Sequence, residues 1–232
     1  MASEFPTDDT LAVAFLTGGH PYDVPVVLTA LDTLPGIRFY PHEVESFVSD
    51  PATIAAYDAA VFFNFHGHDI GLDLTDGFTE RVAEAIPEMG AAGVGIVPLH
   101  HGIAAFPDVP AWETVTGLPG TALAGAYIDQ QFTIEVADED HPITGGYDAF
   151  HFHDETYEYS ATLDGDSNVL LRTDHDPSAE PIAWTRTYED SRVFAYQSGH
   201  GRNAYTDATF RTLLTRGIWW SAGRDAVGVN VV

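Results

Sequence analysis

The strongest constraint on the fold is a rhythm in the first half of the chain. Four short apolar or β-rich runs, LAVAFLTG (11–18), IRFYPHEV (37–44), AAVFFNFHG (59–67) and VGIVPLHHG (94–102), alternate with segments of helical character at 24–34, 51–57 and 77–89. Strands of a parallel sheet read as near-continuous apolar runs because helices cover both of their faces. Successive runs start 22 to 35 residues apart, which accommodates one crossover helix between each pair of parallel strands. The expected class is therefore α/β, with a mostly parallel central sheet. At 232 residues with 45% hydrophobic side chains, one domain can fill such a core, and the whole chain, 1–232, is read as that domain with its core at about 11–222.

In open α/β sheets ligands gather beyond the carboxyl ends of the strands. Three of the four runs end there in histidine: TGGHPYD carries His20, NFHGHD carries His66 and His68, and PLHHG carries His100 and His101. A histidine at a strand end is by itself usually a satisfied structural residue. Several delivered to one rim by separate strands are harder to assign to chance, and imidazole serves as proton shuttle, metal ligand or anchor for hydroxyl groups.

After Gly102 the rhythm changes. WETVTG, LPGTALAGAYIDQQFTIEV and HPITGGYDAFHFHDETYEY read as strand pairs and ordered loops, and AWTRTYEDSRVFAYQSGHG as a hairpin turning at Glu189 and Asp190. These later strands are expected to extend the same sheet. The chain then closes with a helix from Asp207 to Ala222, whose Phe210, Leu213, Leu214, Ile218 and Trp219 form a core-facing stripe, and a peripheral tail, GRDAVGVNVV. Within HFHDETYEY, alternation along a strand puts His151, His153 and Glu155 on one face. That set reads either as half of a zinc or manganese site or as the polar side of an edge strand. In YQSGHGR an apolar strand stops at glycine-flanked His200, repeating the arrangement at His100, with Arg202 placed to pair with an acidic neighbour.

Composition narrows the chemistry. The chain has no cysteine, so disulfides, thiolate metal sites and cysteine nucleophiles are excluded. It carries 35 acids against nine bases, all arginine, for a net charge of −26. Concentrated salt screens such self-repulsion, with a Debye length of about 3 Å at 1 M, which points to a salt-adapted cytoplasm. An acidic surface that docks a basic partner is the competing account. Nucleic-acid binding is not expected without a basic stripe, nor is membrane insertion without a long apolar run. The N-terminus MASEFPTDDT lacks signal-peptide character. There is no GxxxxGK[ST], GxGxxG or GxSxG motif, so no nucleotide cofactor is expected. Asp154 and Glu155 are adjacent and cannot be assumed to flank a glycosidic bond.

The motifs TGGHPYD, YDAAVFFNFHG, GVGIVPLHHG, HPITGGYDAFHFHDETYEY and DSRVFAYQSGHGRNAYTDATFRTLLTRGIWWSAG, spread over about residues 11–222, together resemble the ThuA-like family, named for trehalose utilisation. The resemblance implies a flavodoxin-like three-layer sandwich like that of class I glutamine amidotransferases. It also places His100 where those enzymes carry their cysteine and His200 near their late histidine. An imidazole cannot form the thioester of glutamine hydrolysis, so that activity is expected to be absent. What remains implied is carbohydrate metabolism on a disaccharide or its keto derivative, by His/Glu acid-base chemistry with or without a divalent metal. On this reading His100, Glu155 and His200 carry the chemistry, while His20, His66, His101, Tyr157 and Trp112 bind the sugar. The alternative is a silent sugar-binding or partner-binding module, and either form is compatible with a homo-oligomer.

Overall fold

The structure, a computed structural model, describes residues 10–66, 77–120 and 123–231; His68 lies outside them. In chain order the elements are β1 (Leu11–Thr17), α1 (Val24–Leu31), β2 (Ile37–Glu43), α2 (Val44–Phe47), α3 (Pro51–Ile54), β3 (Ala59–Phe62), α4 (Phe78–Ala92), β4 (Gly95–Pro98), α5 (Pro110–Thr116), β5 (Leu123–Val136), β6 (Phe150–Tyr159), β7 (Asn168–Arg172), β8 (Pro181–Tyr188), β9 (Ser191–Tyr196), α6 (Arg202–Thr206) and α7 (Ala208–Ser221). Among the described residues the strands form one nine-stranded sheet in the order β2-β1-β3-β4-β9-β8-β7-β5-β6. The first five are mutually parallel; the remainder pair antiparallel.

Alternation along the central strands supplies both faces of the sandwich. Leu11, Val13 and Phe15 of β1 join one apolar cluster with Val27 and Leu31 of α1 and Leu213, Leu214 and Ile218 of α7. Ala14 and Leu16 join a second with Phe47 of α2, Ile54 of α3, Val82 and Ile86 of α4 and Trp112 of α5. Helices thus cover both sides, which is why β3 and β4 are apolar and buried at every position. No helix among the described residues is long and apolar enough to cross a membrane.

Two sequence expectations need correction, and one strand lies where no expectation was raised. WETVTG is not a strand: Pro110 opens a helix, Trp112, Val115 and Thr116 are its buried face, and Gly117 ends it at φ 75. The short strand β7 was not recognised within SNVLLRT. The closing segment is not peripheral. Ala226 and Val231 are buried, and Arg216 of α7, itself buried, donates to the carbonyl oxygens of Ile143, Gly145 and Val229 and to Asn230 Oδ1.

Candidate active site

Because β1, β3, β4 and β9 are parallel, their carboxyl ends share one edge, and the segments that follow them carry His20, His66, His100 and His200 respectively. Directly after β4 the chain turns into a short 3₁₀ segment at His100–Ala104. His100 takes a left-handed φ of 55, a conformation that costs a non-glycine residue on the order of 1–3 kcal/mol and survives where its surroundings enforce it. Gly102 is required for that turn, since a Cβ there would stand 1.9 Å from the carbonyl oxygen of Phe62.

Strand β6 packs against the turn that follows β9. Buried Gln197 accepts from the Tyr157 amide at 3.0 Å, donates to the Pro181 carbonyl at 3.2 Å and offers its own carbonyl to His100 Nδ1 at 2.9 Å. Asp154 accepts from the amides of Gly199 at 2.6 Å and His200 at 3.1 Å. Its neighbour Glu155 turns into the site, where Oε2 meets His100 Nε2 at 3.1 Å, His200 Nδ1 at 2.8 Å and the Tyr157 hydroxyl at 3.0 Å. That hydroxyl is 2.7 Å from His100 Nε2, which also lies 3.3 Å from His200 Nδ1. His100 donates Nδ1–H to the Gln197 carbonyl, which orients the ring so that Nε2 faces Glu155, Tyr157 and His200. His200 Nδ1 is engaged by the cluster, so its Nε2 is the nitrogen left for an outside group.

The cluster is buried except at one point. The side chains of His100 and Glu155 are 0% and 9% exposed, whereas that of His200 is 41% exposed. It borders a cleft of about 250 Å³ whose walls include Ile128, Asp129, Arg202 and Asn203. A larger hollow of about 530 Å³ walled by Leu118, Tyr159 and Leu163 does not include His100, Glu155 or His200 in its lining.

Electrostatics follow from this layout. Burial works to raise the Glu155 carboxyl, yet hydrogen bonds from His100 and His200 hold it well below the usual carboxylate range. The hydrogen bond to Glu155 raises His200 against burial. Burial, with His100 and His200 nearby, lowers His20, so these two imidazoles, 6.5 Å apart between centroids, are pushed in opposite directions. Burial and the Glu155 charge push Tyr157 well above the ordinary phenol value. Burial also raises Asp154, against His100 and the amide donors.

The residues expected from sequence divide accordingly. His100, Glu155, His200 and Tyr157 come together, with His20 alongside. His101 is buried behind them: Nε2 donates to the Phe63 carbonyl, the ring packs 4.4 Å from that of His20, and burial holds its pKa well below the ordinary value. Trp112 is also buried, donating to the Ile103 carbonyl and packing on Phe62 and Phe106; neither residue can stack on a sugar. Tyr157 is only 3% exposed and forms the floor of the site. His66 lies on the same rim but apart from the cluster, bonded to Asn64 and packed between Phe78 and Phe106, and burial lowers it to about 4. The set His151, His153 and Glu155 does not assemble as a metal half-site. A register shift in β5 between Tyr127 and Gln130, with Asp129 at φ 60, brings that carboxylate 2.6 Å from His153 Nε2, while Asn203 takes Nδ1. His151 is exposed and bonds Thr133. Among the described residues, the trio whose ligand atoms lie within 4.8 Å of one another is His100, Glu155 and His200. Asp154 and Gln197, which orient this trio, were not singled out from sequence as functional.

Comparison with known proteins settles the relationship. The sequence profile for ThuA, described as trehalose utilisation, matches residues 25–221. This chain belongs to the ThuA family. Two ThuA-like proteins share its architecture: one from Parabacteroides merdae at 18% identity and TM-score 0.70, covering 93% of this chain and 91% of that one, and one from Bacteroides uniformis at 16% and 0.72, covering 97% of each. PurLQS from Thermotoga maritima aligns at 16% identity and TM-score 0.59, covering 90% of this chain and 97% of the other. The fold of this ThuA member is thus class I glutamine amidotransferase-like. Among curated protein sequences none matches it.

Proposed function

We propose that this ThuA protein acts on a sugar derivative, a disaccharide or its keto form, by proton transfer at His200. The observation that carries the proposal is a buried carboxylate, Glu155, clamped by His100, Tyr157 and His200, of which His200 is the member substantially open to solvent. Such an arrangement fixes an imidazole in orientation and balances the charge it gains when it takes a proton. The adjoining cleft of about 250 Å³ offers polar Asp129 and Asn203 together with apolar Ile128, a mixture suited to a polyhydroxylated ring.

A keto sugar has an acidic C–H beside its carbonyl. Removal of that proton gives an enediolate; its return to the neighbouring carbon isomerises the sugar, whereas departure of a β-placed glycosidic oxygen, protonated as it leaves, completes an elimination. His200 handles the proton at the substrate, with His20 as the adjacent imidazole; Glu155 orients His200, and His100 and Tyr157 hold Glu155.

The test is turnover of 3-keto disaccharides and their parent disaccharides in molar potassium chloride, followed by loss of substrate and by exchange of the α-proton for deuterium. His200→Phe is expected to lower kcat about 100-fold or more while leaving sugar binding measurable. No exchange and no product from any of these sugars, with folded protein, would remove the enzyme reading; binding that survives without turnover would leave a sugar-binding module.

A further inference from the structure

We propose that His100 Nε2, Glu155 Oε2 and His200 Nδ1 form one face of a binding site for a divalent first-row transition ion such as zinc, manganese or cobalt. The three atoms stand 3.1, 2.8 and 3.3 Å apart. Donor bonds of about 2.1 Å to one ion set neighbouring donors about 3.0 Å apart at right angles and about 3.4 Å apart in a tetrahedron, so the spacing fits with little movement. Around His100 Nε2 lie three polar atoms, from Tyr157, Glu155 and His200, within 3.3 Å. One ring nitrogen offers a single bonding direction, whether as lone pair or as N–H, and cannot satisfy all three as hydrogen-bond partners. A cation shared by His100, Glu155 and His200 would bond all three and leave the Tyr157 hydroxyl to donate to Glu155.

The outer contacts agree. His100 donates its other ring nitrogen to the Gln197 carbonyl, the arrangement that orients metal-binding imidazoles and raises their basicity. The Asp154 carboxylate grips the amide of His200 and fixes the approach of the third donor. Two imidazoles and one carboxylate suit zinc, manganese, iron or cobalt rather than calcium or magnesium, which prefer all-oxygen shells. Sugar oxygens would complete the ion's shell. With the ion on Nδ1, His200 Nε2 carries the ring proton and can only donate to the substrate, so the base of the proton-transfer reading would then be His20, whose ring lies 6.5 Å from that of His200 between centroids.

The experiment is a cobalt(II) titration of chelator-stripped protein in 1 M potassium chloride with excess magnesium, which suppresses adventitious binding to the acidic surface. It is read by visible absorption and by calorimetry with zinc and manganese. One equivalent with a saturating ligand-field spectrum is expected, and both His200→Ala and Glu155→Gln should weaken binding at least tenfold with an unchanged circular dichroism spectrum. If Glu155→Gln fails to fold, His200→Ala alone decides, since its side chain is half-exposed. The site is overturned if no saturable spectrum forms, or if both variants bind as the parent does while His151→Ala or His153→Ala abolishes binding. Failure here with proton exchange intact would leave the sugar reading standing without the metal.

Discussion

Asp154 and Glu155 show how far adjacent side chains can diverge: one strand sends the first carboxylate to two backbone amides and the second into the imidazole cluster. Asp154→Asn replaces one acceptor oxygen with a donor and leaves an amide of the Gly199–His200 turn without its partner. We expect a loss of about 1–3 kcal/mol in urea unfolding, and a fall in kcat larger than any change in KM. Glu155 and His200 were legible because glycine-flanked histidines at strand ends and a carboxylate in an aromatic strand are visible as residue types. Asp154 and Gln197 were not, because their role lies in backbone hydrogen bonds made across the fold. His101 and Trp112 were misjudged for the converse reason: chemistry-bearing side chains look alike in sequence whether they line a cleft or fill a core. His66 gives a pH test. Burial lowers it to about 4 when folded, against about 6.5 unfolded. Between those values the unfolded chain binds more protons, so stability is retained above about pH 6.5 and lost as pH falls toward 4. His66→Phe should flatten that slope by on the order of 1 kcal/mol between pH 7 and 5, allowing for partial access to water, as measured by urea midpoints.

Among the elements, the inner parallel strands β3 and β4 were readable because burial on two faces leaves them no polar register to confuse. The antiparallel half was harder, since its strands mix exposed and buried positions and its turns are long. In α5 a tryptophan and β-branched residues imitated a strand, although Pro110 and Gly117 marked both ends of a helix. Its anchor supplies a prediction. Trp112→Phe should cost about 1–3 kcal/mol through lost packing and a stranded Ile103 carbonyl, yet leave sugar and cobalt binding unchanged in the folded fraction. Loss of sugar binding at full stability would instead return Trp112 to the site. Gly102→Ala, with a Cβ driven into the Phe62 carbonyl, should be far harsher, about 3 kcal/mol or more, because it unseats the turn that carries His100.

At the level of the whole molecule, a net charge of −26 makes self-repulsion a leading cost of compaction. The ion pairs Arg172–Glu135 and Arg202–Asp23 are exposed or loose and contribute little, so salt should remove more repulsion than attraction. We expect Tm to climb steadily as potassium chloride rises from 0.1 to 2 M, with the steepest gain while the Debye length shrinks from about 10 to about 3 Å. A flat or falling curve would argue against salt adaptation. The anchoring of Arg216 has a practical side. An engineer trimming what looks like a ragged end at residue 222 would delete Val229 and Asn230 and with them two of the guanidinium's grips, leaving a buried cation with the Ile143 and Gly145 carbonyls alone. Shortened versions should therefore be less stable and more prone to aggregate than the full chain.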